Sequence, residues 1–284
     1  MILREALRQA EARIAAGSIP DARLEAELLL MHALRVERAE LYARLEDPLP
    51  PAAEDRFQAL VDRRLRHEPA AYIRGRAWFY GIELVVDHRV LVPRAETELL
   101  VETVLGLVKE RFAEGQPCTI ADVGTGSGAI AVALALHLPG ARIWATDVSP
   151  AALEVARVNS VRRGVQDRVE LLPGDLLAPL PGTVDIIAAN LPYVRDADIP
   201  GLAPEVRDYE PLSALAGGPD GLDVVRRLLA GVRDYLRPRG AVVLEIGLGQ
   251  AEPAVFLAWK HLPGCAADLV RDFAGIERVL RILT

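Results

Sequence analysis

Residues 118–128 constrain the fold of this chain more than any other stretch. Cys118-Thr119-Ile120-Ala121-Asp122-Val123 is an apolar run that breaks into Gly124-Thr125-Gly126-Ser127-Gly128, and 129–138 then has the pattern of a helix. A buried strand that stops in a glycine loop and restarts as a helix opens a doubly wound parallel sheet. Glycines there let the backbone turn sharply and approach a ligand closely, where a Cβ would block it. The alternation continues, with strands expected at 141–146, 168–172, 184–189 and 241–246 and helices at 222–236 and 250–261. The expected class is α/β.

Two kinds of cofactor fit the loop. Gly124, Gly126 and Ala129 satisfy the dinucleotide fingerprint, and Asp147, about 20 residues after the loop, supplies its ribose-binding acid. The loop also carries Asp122 two residues before its first glycine. Beside a pyrophosphate that acid would repel; beside S-adenosylmethionine it can hold the ammonium or order water. The methyl donor is therefore favoured over a nicotinamide cofactor. The binding set is Asp122, Gly124, Thr125, Gly126, Ser127 and Gly128, then Asp147 with Val148 beyond the second strand. After the third strand Asp175 can hold an adenine amino group with Leu176 against the ring, or simply close a solvated turn.

The strand at 184–189 runs into Asn190-Leu191-Pro192-Tyr193. In an open α/β sheet ligands bind beyond the carboxyl ends of the strands. This fourth strand is expected beside the first, so that Asn190 and the glycine loop flank one crevice. An amide, a rigid backbone and an aromatic face then meet at one spot.

The rest of the chain narrows the reading. No apolar run approaches the roughly 18 residues of a spanning helix, and the N-terminus lacks a signal-peptide core, so a soluble cytoplasmic protein is expected. Cys118 and Cys265 are far apart and the five His residues are scattered, so no disulfide framework and no metal site are expected. A net charge of −7 argues against a broad nucleic-acid surface.

Residues 1–70 have helical periodicity only. Leu3, Ala6, Leu7, Ala10 and Ile14 make the first face, with Gly17 as a stop. Asp21 is placed to cap a second helix with a face of Leu24, Leu28, Met31 and Ala33-Leu34. A third helix is expected at 37–45, and a fourth from Pro51 with Phe57, Leu60, Val61 and Leu65. Such a bundle can recognise a partner or merely stabilise the chain. At 71–94 the pattern suggests a hairpin turning near Asp87-His88, with Trp78, Phe79 and Tyr80 either packing between domains or lining a pocket. The expected division is 1–70, a connector at 71–94, and 95–284. A helix is expected from Pro93-Arg94-Ala95-Glu96-Thr97-Glu98 to about 113.

Taken together, the glycine loop and Asn190-Leu191-Pro192-Tyr193 resemble class I S-adenosylmethionine-dependent methyltransferases that methylate amino groups. Glu68-Pro69, Tyr72-Ile73, Gly75, Phe79-Tyr80-Gly81, Pro93-Arg94 with Glu96-Thr97-Glu98, Glu210-Pro211, and 214–218 with Asp220-Gly221-Leu222 extend the likeness to the release-factor glutamine methyltransferases (the HemK/PrmC family). Two positions depart from that family's pattern: Leu191 and Ala95 stand where it usually has proline. The resemblance implies a seven-stranded, mostly parallel sheet closed by an antiparallel pair at 267–273 and 278–283, and an N-terminal helical domain that recognises the substrate.

It also implies S-adenosyl-L-methionine as cofactor, S-adenosyl-L-homocysteine as product, no metal, and peptide-chain release factors as protein substrate, at the Gln of their Gly-Gly-Gln loop. The implied catalytic residues are Asn190, Pro192 and Tyr193, with Leu191 and Phe79 completing the substrate site and Asn190 also bordering the cofactor. Asn190 Oδ1 and the Leu191 carbonyl would each accept one amide hydrogen, and Tyr193 would stack on the amide. Residues 194–219 would cover the channel, shaped by Glu210 and Arg207. A ribosomal-protein glutamine, or an adenine amino group in nucleic acid, would suit the same clamp.

Overall fold

The computed structural model describes residues 1–113 and 116–284, and these form two compact units. The first comprises residues 1–76 with 203–209, the second 77–202 with 210–284. Residues 77–94 of the expected connector thus lie in the second unit. Among the described residues no helix is long and apolar enough to cross a membrane.

The first unit is built from α1 (Leu3–Ala16), α2 (Ala22–Leu34), α3 (Arg38–Ala43), α4 (Pro51–Leu65) and the short α5 (Ala70–Arg74), which the periodicity did not announce. Leu3, Leu7, Ile14, Leu29, Leu30, Leu41, Phe57 and Val61 share one core. Pro51 opens α4 as expected, since the first turn of a helix loses nothing to a missing N–H. Two expectations for α2 need correction. Its buried stripe is Ala26, Leu29, Leu30 and Ala33, while Leu24 is exposed. Asp21 stands at the cap position in a left-handed conformation and makes no side-chain cap bond.

The second unit begins with a hairpin of β1 (Arg76–Phe79) and β2 (Ile82–Val85). It turns at Tyr80-Gly81, not at Asp87-His88, and 90–92 is not a strand. Both turn residues have positive φ, 50° and 72°, the pairing that matches the twist of two adjoining strands. An aromatic is a poor host for that conformation. Here the Tyr80 N–H donates to Glu98 Oε1 at 2.7 Å and its ring packs edge-on against His137, 5.0 Å between centroids.

There follow α6 (Glu98–Arg111), β3 (Cys118–Val123), α7 (Ala129–His137), β4 (Ala141–Asp147), α8 (Pro150–Arg162), β5 (Val169–Pro173) and β6 (Val184–Ala189). After α9 (Pro204–Arg207), which counts with the first unit, come α10 (Asp223–Tyr235), β7 (Leu236–Glu245), α11 (Ala251–His261), β8 (Ala266–Arg271) and β9 (Glu277–Leu283). The seven strands β3–β9 are ordered β5-β4-β3-β6-β7-β9-β8. Neighbours from β5 to β7 are parallel, and β9 runs antiparallel to both β7 and β8.

Side chains alternate across each strand, so the sheet carries two cores. Ile120, Ile143, Ile186, Ala188 and Val243 pack under α6 and α7. Ala121, Val123, Ile187, Ala189, Val242 and Leu244 pack under α10 and α11. β3 and β6 are direct neighbours, with Val123 opposite Ala189. The glycine loop and Asn190 therefore leave the sheet side by side.

Candidate active site

A cavity of about 300 Å³ opens beyond the carboxyl ends of β3, β4 and β6, at the low end of the usual size for ligand pockets. Gly124, Thr125, Gly126 and Ser127 form one wall. Asp147 and Val148 form a second with Gly174, Asp175 and Leu176. Asn190, Leu191 and Pro192 form a third, and Phe79, Arg94, Thr97, Pro211 and Ala214 close the remainder. Of the residues expected from the sequence, Asp122, Gly128 and Tyr193 do not line it.

Gly124, Gly126 and Gly128 all have positive φ, between 54° and 81°, where any other residue would be strained. The N–H groups of Gly124 and Thr125 both donate to the Thr146 carbonyl at 2.9 Å, tying the loop to β4. Gly126 N–H donates to Asp147 Oδ2 at 2.9 Å and Ser149 N–H to Oδ1 at 2.8 Å. Asp147 is thus aimed by two backbone bonds, while burial raises its pKa. Thr146 Oγ1 donates to the Leu176 carbonyl at 2.9 Å, which fixes the strap bearing Asp175. The Asp175 carboxylate pairs with Arg227.

Asp122 is fully buried beneath the loop and touches no part of the cavity. Its Oδ2 accepts from Thr125 Oγ1 at 2.6 Å and from Ala131 N–H at 3.0 Å, and Oδ1 has no partner. Burial pushes its pKa up to about 7. The period of two along β3 puts it on the same side as Ile120. Asp122 thus braces the loop from beneath, through Thr125 and Ala131.

Leu191, 4 % exposed, packs against the loop. A Cβ on Gly124 would stand 3.3 Å from Leu191 Cδ2. Asn190 Nδ2 donates to Thr97 Oγ1 at 3.0 Å. The Tyr193 ring is mostly buried, and its hydroxyl donates to Glu245 Oε1 at 3.3 Å. Phe79, 1 % exposed, is the aromatic that lines the cavity.

The covering segment is held from both sides. Glu210 accepts from Arg94 at 2.6 Å. Gln250 Nε2 donates to the Tyr193 and Gly221 carbonyls at 3.0 and 3.2 Å, while its Oε1 accepts from Gly247 N–H at 2.8 Å. The Arg207 guanidinium pairs with the adjacent Asp208 at 2.7 Å.

The comparisons with known proteins agree on where this arrangement belongs. Residues 5–75 match the PrmC N-terminal domain, and residues 102–192 match the ribosomal protein L11 methyltransferase (PrmA) family. The chain is 47% identical over 279 residues to a release factor glutamine methyltransferase of Moorella thermoacetica, covering 98% of this chain and 97% of that one. The chain belongs to the release factor glutamine methyltransferase family. Another member, from Cereibacter sphaeroides, is 44% identical over 97% of this chain and 96% of its own.

Among solved structures, the N-terminal domain of human METTL16 aligns with a TM-score of 0.51 at 18% identity (72% of this chain, 75% of that chain). A methyltransferase from Pyrococcus furiosus aligns at 0.50 and 19% (72% and 90%). These share the fold. Membership of a methyltransferase family decides between the two cofactor classes that the loop alone left open. Among the described residues no group of three or more His, Cys, Asp or Glu side chains could hold a metal ion.

Four side chains around this family's site escaped the sequence reading. Thr97 stood inside a quoted motif without a role, and Glu245 ends an apolar strand. Gln250 follows Gly247-Leu248-Gly249. Asn159, 1 % exposed inside α8, donates to the Val85 and Ser127 carbonyls at 2.9 and 2.8 Å and accepts from Val85 N–H at 2.7 Å. A polar amide at helical spacing from the buried Ala152, Val155 and Ala156 was the available signal for Asn159.

Proposed function

We propose that this protein transfers a methyl group from S-adenosylmethionine to the side-chain amide nitrogen of the glutamine in the Gly-Gly-Gln loop of peptide-chain release factors, in the cytoplasm. The observation that carries the reading is the turn at Asn190-Leu191, set at the cavity wall directly beside the glycine loop.

The residues present suit the cofactor. Two left-handed glycines, Gly124 and Gly126, leave bare backbone at the cavity, Asp147 would offer carboxylate oxygens to ribose hydroxyls, and Val148, Asp175 and Leu176 would flank an adenine. Asp175 would reach an adenine amino group only by sharing its carboxylate with Arg227. When bound, S-adenosylmethionine supplies a methyl group on a positively charged sulfur with a good thioether leaving group.

The chain's own task is orientation. An amide nitrogen is a poor nucleophile because its lone pair is delocalised into the carbonyl. Asn190 Oδ1 and the Leu191 carbonyl each accept one of its hydrogens, so the nitrogen lone pair points at the methyl carbon. As the N–C bond forms, positive charge grows on nitrogen, and both acceptors stabilise it. The surplus proton leaves to solvent once the bond has formed. Leu191 contributes its carbonyl to the clamp as readily as proline would. Phe79 excludes water from the other side, and Pro192 holds the turn.

Asn190→Ala should lower kcat by about 10²-fold or more, the scale of losing an oriented oxyanion-type contact. Calorimetry should find S-adenosylmethionine affinity within a few fold of normal. Labelled cofactor with a release factor, its Gln→Ala variant, a ribosomal protein and DNA tests the substrate. Label on DNA alone, or equally on the Gln→Ala variant, contradicts the proposal.

A further inference from the structure

The second acceptor of the clamp is a main-chain carbonyl, that of Leu191, so its aim depends on the course of the backbone around it. Upstream the sheet fixes that course, because Ala189 is in register with Val123 on one side and Leu244 on the other. Pro192 removes one rotation in the middle. Downstream lies the peptide that joins Tyr193 to Val194, and both of its polar groups are held. Val194 N–H donates to the Leu215 carbonyl at 2.9 Å, and the Tyr193 carbonyl accepts from Gln250 Nε2 at 3.0 Å.

Gln250 precedes α11, is 8 % exposed and takes no part in the cavity wall. Its Nε2 carries two hydrogens, and its Oε1 only accepts. The second hydrogen reaches the Gly221 carbonyl at 3.2 Å, and Oε1 accepts from Gly247 N–H at 2.8 Å. Turning the amide round would set donor against donor at Gly247 and acceptor against acceptor at both carbonyls. Three main-chain groups thus fix its direction. The fit leaves no slack either. Gly221 has φ 76°, and a Cβ there would overlap the Tyr193 carbonyl oxygen and Gln250 Nε2. A Cβ on Gly247 would lie 3.0 Å from Gln250 Oε1 and 3.1 Å from Tyr193 Cδ2. One amide therefore joins the loop after β7, the turn after β6 and the approach to α10.

We infer that Gln250 is a positioning residue for methyl transfer: it holds the Tyr193–Val194 peptide so that the Leu191 carbonyl keeps its aim at the substrate amide. The inference rests on the amide-clamp reading and adds what keeps the backbone half of that clamp in place. The two halves are then supported separately. The Asn190 side chain is held by Thr97 Oγ1 at 3.0 Å, and the backbone leaving Leu191 is held by Gln250 and Leu215. Leucine can then replace proline at 191, because the turn is constrained from outside.

Two substitutions test the link. Gln250→Met removes the amide and keeps most of its length. Gln250→Glu keeps the shape and the acceptor for Gly247 but, when ionised, turns an oxygen on two carbonyls. When protonated it regains one donor. Gln250→Met should lower kcat on the release factor by about 10-fold or more at every pH, the scale on which small misplacements act. kcat/KM should fall with it, as for an interaction that matters in the transition state. Calorimetric affinity for S-adenosylmethionine should stay within about twofold, because Gln250 touches neither the glycine loop nor Asp147. The specific signature is the pH profile of Gln250→Glu. Burial beside two carbonyls raises the pKa of the introduced carboxyl. Its kcat relative to the natural enzyme should be down about 10-fold at about pH 8 and recover to within about threefold at about pH 5.5. Taking the ratio cancels the titrations of Asp122 and Glu245, which both proteins share.

All rates are read well below each variant's melting temperature, so that loss of folded protein does not enter. Unchanged kcat in Gln250→Met would overturn the inference. So would a Gln250→Glu ratio that stays flat with pH, or a cofactor affinity that falls in step with kcat. Should Gln250→Met fail to fold, Gln250→Glu carries the rate and pH tests. Asn190→Ala separates the two levels. If it is nearly fully active, the clamp itself is wrong. If it is inactive while both Gln250 variants behave normally, only the positioning role falls.

Discussion

A carboxylate with no exposed surface, two donors on one oxygen and none on the other is an unusual support for a ligand loop, and Asp122 is in that position. Burial outweighs the bonds from Thr125 and Ala131 and, with the nearby Asp147 adding to it, moves the pKa from 3.8 to about 7. The folded protein therefore keeps a proton that the unfolded chain releases near pH 4. Wherever the folded state binds more protons, stability falls as pH rises. Asp122 should cost stability progressively between about pH 4 and pH 7, by an amount on the order of a few kcal/mol at about 1.4 kcal/mol per unit. Asp122→Asn retains an acceptor for both donors and cannot ionise. Urea unfolding at about pH 5 and about pH 7.5 should show a smaller decline for the variant than for the natural protein. Equal declines in the two would mean that Asp122 is not the group responsible.

The segment following Tyr193 and the turn it covers are built backbone against backbone. Val194 N–H donates to the Leu215 carbonyl at 2.9 Å, and Gly217 N–H donates to the Val194 carbonyl at 2.8 Å. A Cβ on Gly217 would lie 2.7 Å from the carbonyl oxygens of Pro192 and Gly221 and 2.8 Å from Tyr193 Cα. All three are main-chain atoms, so no side chain can swing aside. Gly217→Ala should destabilise by about 1–3 kcal/mol, as overpacking does, and should reduce kcat more than cofactor affinity, because the glycine loop lies on other strands. Gly106→Ala is the control: its Cβ meets nothing within 4 Å on α6, and alanine favours a helix. Matching melts for the two variants would refute the backbone-contact account.

Elements of this kind divide into those the sequence announces and those it hides. β3 and β6 were legible to the residue because each is an apolar run closed by turn residues, and their adjacency predicted the crevice. The hairpin was misplaced because Tyr80 occupies a position where glycine or asparagine usually signals the turn. The links that orient the site were invisible for a different reason. Asn190 and Thr97 are 93 positions apart, and Tyr193 lies 57 from Gln250 and 52 from Glu245. No local periodicity encodes such pairs.

At the scale of the whole chain, the two units have separate cores, one drawn from residues 3–73 and the others only from residue 79 onward. The first unit also buries a charged side chain. Arg64 on α4 is 1 % exposed, with Nε 3.1 Å from Glu25 and Nη2 2.5 Å from Glu205. Glu25 is buried enough that its pKa is raised despite the guanidinium. Removing one partner of a buried ionic group leaves the others uncompensated and costs about 3–5 kcal/mol, far more than the group contributes when intact. Arg64→Met should therefore destabilise the first unit selectively. Calorimetry should show a transition at reduced temperature that leaves the sheet unit intact, and S-adenosylmethionine affinity should stay within about twofold. Methylation of an intact release factor should fall, since the N-terminal helices are proposed to recognise that substrate. Adding Glu205→Gln should restore part of the loss by removing one stranded charge. A single shifted transition with loss of cofactor binding would show instead that both units unfold together, and that the boundary between the cores is not a boundary in stability.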